Sequence, residues 1–367
     1  MRATRLNVIA AAALCLVASG TALNAQKRKN AEPKSQVQPL PPEPPMALAV
    51  DTDSIDFHIS RLLTTGGLAA QIRESLNDLI RNTRGETIVK LRAFVSGSGD
   101  TRRVQALVTE LFSEHRLPLP AISILQVGAL GQQSAKVVIE AVVSTHRNVN
   151  PNGLAFFFGQ HGTSLPNALQ TLKQDTHAAG IPGDRILSCT CFTSRIDNFE
   201  ADTSAARTLF PKTALNVVQA VRDPLSDASM CEAVGQPPNP PARGPVIRLE
   251  SASATLVNSP QLIFTGMQLS FGNYLDDARE AFARLQHAAA AVRPVQTPVE
   301  VDAFTLDASA GSALHKTNLL APRTLTVQPV EGLPAIDALA GIEGIFAPNV
   351  ESAVTVEEKP SQGYNSP

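Results

Sequence analysis

The sequence predicts an α+β fold built from three tandem units, and three observations carry that expectation. A strand ending at a glycine opens each unit, in HISRLLTTGGLAAQ, LAFFFGQHGTS and LIFTGMQLSFG. An apolar strand bearing one glutamate closes each, in KVVIEAVV, ASMCEAVG and AGIEGIFA, so that Glu140, Glu232 and Glu343 recur at one place. From opening glycine to acid the distance is 73 residues for Gly67 to Glu140, 73 for Gly159 to Glu232 and 77 for Gly266 to Glu343. A fixed order at a near-fixed period is the signature of internal repetition.

The parts between follow the same order each time. After the glycine comes an amphipathic helix: LAAQIRESLNDLIRN, then SLPNALQTLKQDTHAAG, then YLDDAREAFARLQHAAAAV. In the second, Ser164 is placed to cap the first turn, Pro166 sits inside that turn and Gly180 ends the helix. A β-rich strand follows in TIVKLRAFVS, RILSCTCFTS and VEVDAFTLD. A shorter helix with an apolar face comes next, clearest in VQALVTELF. An unpaired carboxylate in the closing strand would cost several kcal/mol to bury, roughly, so each glutamate needs either water or a partner.

Breaks in composition set the unit boundaries. Residues 1–25 read as an export signal: Arg2 and Arg5, an apolar run to about Val17, and small residues ending at Ala25. That run is too short to span a bilayer. Residues 26–46 form a Pro-rich linker. Units are expected at 47–147, 148–236 and 237–347, separated by HRNVNPNG and GQPPNPPARGP, with a disordered acidic end at 348–367.

Bulk properties exclude some partners. The 367 residues carry a net charge of -2, with no Trp and 4% aromatic residues, so nothing argues for nucleic acid or an anionic membrane surface. The histidines lack the i, i+4 spacing of a helical metal site, and no metal or cofactor is inferred. Cys15 leaves with the signal. Cys189, Cys191 and Cys231 read as buried reduced thiols, with one disulfide as the alternative.

The three units resemble the Rid family, the reactive intermediate deaminases also called YjgF or endoribonuclease L-PSP. The first matches best, through KLRAFVSGSGDTRRVQALVTELFSEHRLPLPAISILQVGAL and VVIEAVV; FFFGQ and IFTGMQ add the family's strand-glycine-glutamine opening. The resemblance implies chorismate-mutase-like modules, and three in one chain imply an intramolecular pseudo-trimer that is a monomer in solution. It also implies hydrolysis of enamines or imines to 2-keto acids and ammonia. In that chemistry an arginine after a proline grips the substrate carboxylate. The late-strand Glu, here Glu140, Glu232 or Glu343, holds the attacking water.

At the arginine position the units read PAIS, FPKT and APRT, placing Ile122, Lys212 and Arg323 there. Arg323 and Lys212 are therefore the candidate carboxylate clamps, and the backbone at Gly159 and Gly266 offers further donors. Neither the family's asparagine nor its early tyrosine has a clear match; Gln105 lies nearest the first, and the tyrosines are Tyr274 and Tyr364. Three functions stay open: an exported deaminase with partly degenerate sites, a non-catalytic binder of small carboxylate metabolites, and a structural or partner-binding protein. The number of clefts that keep both a cation and an acid separates them.

Overall fold

Three separate sheets form where three strand-rich segments were expected. The computed structural model describes residues 41–348, apart from 98, 242–243, 250–251, 273–274, 295 and 318–323. The expected export signal, most of the linker and the acidic end lie outside the described residues, as does Arg323. No helix among the described residues is long and apolar enough to cross a membrane.

In chain order the first segment holds β1 (Ala47–Asp51), β2 (Ile55–Ile59), α1 (Leu68–Asn82) and β3 (Thr87–Ser96). It continues with α2 (Arg102–Glu114), β4 (Ala121–Val127), β5 (Ala129–Leu130) and β6 (Val137–Ser144). The second holds β7 (Leu154–Gly162), α3 (Leu165–Ala178), β8 (Ile186–Thr193), α4 (Phe199–Leu209), β9 (Ala214–Gln219) and β10 (Ser229–Gly235). The third opens with β11 (Val246–Leu249), β12 (Ala254–Val257), β13 (Gln261–Thr265) and β14 (Gln268–Ser270). It closes with α5 (Leu275–Val292), β15 (Gln296–Thr305), α6 (Ala308–Thr317), β16 (Leu325–Pro329) and β17 (Ala340–Pro348).

Each sheet has the same four-strand centre: β2-β6-β3-β4, β7-β10-β8-β9 and β13-β17-β15-β16. The last pair is parallel every time and its crossover carries a helix, α2, α4 or α6. The other pairs are antiparallel. Edge strands cross the unit boundaries read from sequence. β1 pairs with β13 in the third sheet, β12 pairs with β7 in the second, and β5 pairs with β9. The helices and central strands of each sheet lie within one of the segments 47–147, 148–236 and 237–348, while edge strands pair across them.

The helices behave as their sequences dictate. Ser164 caps α3, its hydroxyl accepting from the Asn167 amide, and Gly180 turns the chain at φ +71 just past the helix. Ile72, Leu76 and Leu79 recur at helical spacing on α1 and are fully buried against Leu91, Ala93 and Val95 of β3. Each fully buried leucine contributes about 1.5–3 kcal/mol relative to exposure. Equivalent cores lie between β8 and α3, and between β15 and α5.

In the second core the thiol reading is corrected. Cys191 and Cys231, directly opposed on β8 and β10, form a disulfide with Cα atoms 4.1 Å apart. Cys189 stays reduced and buried, its Sγ 3.8 Å from that of Cys191. Burial pushes the Cys189 thiol far up.

Candidate functional site

Period-two alternation sends every second residue of the middle strands away from the helices. On β3 these are Lys90, Arg92 and Phe94; on β8, Ser188, Thr190 and Phe192; on β15, Glu300, Asp302 and Phe304. The three phenylalanines meet, with ring centroids 5.9 Å apart for Phe94–Phe192 and 5.9 Å for Phe192–Phe304. They belong to an apolar cluster drawn from all three sheets. Above them lies a polar layer.

Register places the same kind of row in each sheet. Arg92 lies between Glu140 and Ser123, Thr190 between Glu232 and Asn216, and Asp302 between Glu343 and Thr326. The glutamates that recur in sequence therefore occupy one position in three sheets. All three turn toward one guanidinium. Arg92 donates through Nε to Glu343 Oε1 at 2.5 Å, through Nη2 to Asp302 Oδ2 at 2.7 Å, and through Nη1 to Glu232 Oε1. Its Nη1 also stands 3.8 Å from Glu140 Oε2, and Phe304 lies under its plane at 5.6 Å.

Each acid is held differently. Glu343 takes a second cation, Lys90, and accepts from the Ser123 hydroxyl. Lys90 also donates to Ser123 Oγ and to the Thr265 carbonyl, both at 2.5 Å. Burial alone would raise the Glu343 carboxyl, but Arg92, Lys90 and these hydrogen bonds hold it down at about 2. Glu140 accepts from Thr190 Oγ1 at 2.6 Å and from Asn216 Nδ2 at 2.7 Å, and burial still raises it.

Burial raises Glu232 as well, against the pull of Arg92. Glu300 and Asp302 stand well above the carboxylate range, first through burial and then through repulsion, Glu300 from Asp302 and Asp302 from Glu232. Around these groups is a cavity of about 90 Å³.

A second, wider cleft of about 700 Å³ lies between the second and third sheets. Gly159, His161, Arg248, His315 and Thr326 line it. Gly159 sits at φ +60 in a bulge of β7 opposite Glu232, a conformation that favours glycine. The Thr326 hydroxyl is buried with no hydrogen-bond partner among the described residues. Burial pushes His161 down, so its imidazole is neutral at pH 7. No carboxylate is among the described residues lining this cleft.

The other expected residues are dispersed. Lys212 is a surface side chain, 74% exposed and 3.7 Å from Asp184, whereas the three glutamates are directed into the buried centre. Gly266 is sealed against the first sheet: its amide donates to the Met46 carbonyl at 2.7 Å, and a Cβ there would come 3.1 Å from the Ile122 carbonyl. With Met267 N donating to the same Ile122 carbonyl, that seam leaves no room for a ligand.

No family model and no curated protein matches the chain. Solved structures do. YjgF/RidA-type proteins are among them, each aligned to under a third of the chain. The YjgF gene product of E. coli is 25% identical over 29% of this chain and 94% of its own, with a TM-score of 0.24. E. coli TdcF, solved with bound serine, is 22% identical over 28% of this chain and 93% of its own, TM-score 0.23. A cyanuric acid hydrolase, described as evolutionary innovation by structural concatenation, covers 81% of this chain and 100% of its own at 12% identity, TM-score 0.21.

Proposed function

We propose that the chain is an intramolecular trimer of Rid-like units that binds a small carboxylate in the cleft between its second and third sheets, without hydrolysing an imine there. One observation carries the reading. The three late-strand glutamates are engaged with Arg92, Lys90, Thr190 and Asn216 in the buried centre, while the described residues lining the open cleft include basic and neutral donors but no acid. The glutamates line the central cavity and not this cleft, so among the described residues the cleft has no general base for the deaminase chemistry. Binding asks for less. Arg248 supplies a planar fork for a carboxylate, and the Thr326 hydroxyl with the backbone at Gly159 supplies neutral donors. The cleft's volume falls in the range of small-molecule sites, roughly 300–1,000 Å³.

Calorimetry on the chain from residue 26 onward, with pyruvate and 2-oxobutanoate, tests this directly. Arg248→Ala should weaken binding about 10- to 150-fold, the equivalent of roughly 1.5–3 kcal/mol for a charge-assisted pair. An enamine generated in the assay should decay no faster with the protein than in buffer. Catalysed decay that disappears in Glu232→Gln would overturn the reading in favour of the deaminase.

A further inference from the structure

We propose that the central cavity binds one hard divalent cation, Ca2+ or Mg2+, through the carboxylates of Glu232, Glu300 and Asp302. These three offer one oxygen each within 4.8 Å of one another. A Ca2+–oxygen bond is about 2.4 Å, so two ligands on opposite sides of one ion are separated by up to about 4.8 Å. All three residues are more than nine-tenths buried, at 8%, 6% and 5% exposure.

The independent sign of a ligand is which oxygens stand without partners. Arg92 takes Glu232 Oε1 and Asp302 Oδ2, and the other oxygen of each, Glu232 Oε2 and Asp302 Oδ1, has no hydrogen bond among the described residues. Glu300 Oε1 has none either. Three buried acceptors without donors in one place are uncommon, because each carries the full desolvation cost of an unmet charge. One cation would meet all of them.

Charge balance agrees. The cavity is lined by five acids, Glu140, Glu232, Glu300, Asp302 and Glu343, against two cations, Lys90 and Arg92. The lining thus has three more acids than cations, and a divalent ion bound there takes the place of protons on the acids it meets. An all-oxygen anionic donor set suits hard ions rather than zinc or copper. The cavity of about 90 Å³ has room for waters to complete the shell. Side-chain exposures of 15% at Arg92 and 18% at Glu140 leave it reachable from solvent.

The test uses the full chain from residue 26, stripped with EDTA, and titrates CaCl2 and MgCl2 separately by calorimetry and by thermal unfolding. The expected result is one ion per chain and an unfolding midpoint raised by about 3–6 °C at an ion concentration near 100 times Kd. The ion giving the lower Kd identifies the preferred metal. Glu300→Gln should weaken ion binding at least 30-fold. It should also raise the midpoint of the metal-free protein, since no hydrogen bond to the Glu300 carboxylate is lost. Asp302→Asn should weaken binding similarly. No saturable heat and no midpoint shift with either ion would overturn the proposal, leaving the acids to hold protons. Undiminished affinity in Glu300→Gln would overturn it equally, by locating the ion elsewhere.

Discussion

Replacing Arg92 with methionine removes a side chain that touches acids from all three sheets, and the structure allows the loss to be sized. Glu343 keeps Lys90 and Ser123 as partners, whereas Glu232 and Asp302 lose the guanidinium from which each accepts. Breaking a buried pair from one side costs about 3–5 kcal/mol. Protonation limits the penalty, because a carboxyl that ordinarily titrates near 4.5 can be held neutral at pH 7 for about 3 kcal/mol. With two acids affected, Arg92→Met should lose about 3–6 kcal/mol at pH 7, a large part of a typical 5–15 kcal/mol total. At pH 5 the protonation penalty falls to about 1 kcal/mol for the Glu and about 1.5 kcal/mol for the Asp, and much of the loss should vanish. Urea unfolding followed by circular dichroism at both pH values measures this. Adding Glu232→Gln to Arg92→Met should recover part of the stability at pH 7, since it removes one of the stranded charges. A loss under about 1 kcal/mol at pH 7, or an equal loss at both pH values, would refute the hub assignment.

Glu343 has its folded-state carboxyl depressed from 4.5 to about 2, so it contributes stability above pH 4.5 that disappears as pH falls through 2. That contribution is about 3 kcal/mol, and Glu343→Gln should flatten the acid limb of the stability profile between those values. The Cys191–Cys231 bond closes a 40-residue separation, and the double alanine variant should lose about 2–4 kcal/mol in chemical denaturation. Cys189, buried and with its thiol pushed up, should resist iodoacetamide in the native protein and react once unfolded, as read by mass spectrometry. The chain from residue 26 onward should scatter light as a monomer, because each sheet already meets two others within one molecule.

Much of this was legible. Recurrence alone picked out Glu140, Glu232 and Glu343, and register puts all three at corresponding positions beside the middle strand. Their partners were legible too, but only by aligning the units. The strand TIVKLRAFVS carries Lys90 and Arg92 two residues apart among apolar neighbours, and VEVDAFTLD carries Glu300 and Asp302 with the same spacing. Overlaid, these are complementary charges on one face of two equivalent strands, which points to a shared interior. Period-two patterning shows that such residues share a face, yet it does not say whether that face meets water or another sheet. That is why the glutamates read as cleft residues. The interlocked edges were hidden for a related reason: β1 and β12 pair across units through backbone groups that any side chain would permit. The loss of the ligand seam at Gly266 likewise depends on backbone contacts to Met46 and Ile122 that no local motif encodes.

One polypeptide can build a centre that three identical chains cannot. In a symmetric trimer each layer near the axis holds the same residue three times, so a glutamate there would meet two more, and an arginine two more arginines. Here the corresponding positions hold Arg92, Thr190 and Asp302 in one layer and Lys90, Ser188 and Glu300 in the next. A cation, a neutral hydroxyl and an acid occupy each. The asymmetry lets a single guanidinium serve Glu140, Glu232 and Glu343 together, an arrangement with one positive group at the meeting point of three negative ones. It also concentrates the excess acid on the side of Glu300 and Asp302, where Glu300 Oε1 and Asp302 Oδ1 have no donor among the described residues. The arrangement that brings one guanidinium to three glutamates thus leaves an acid-rich pocket beside them. An ion suited to that pocket is small, positively charged and ligated by oxygen, and without one the same acids are the ones that hold protons.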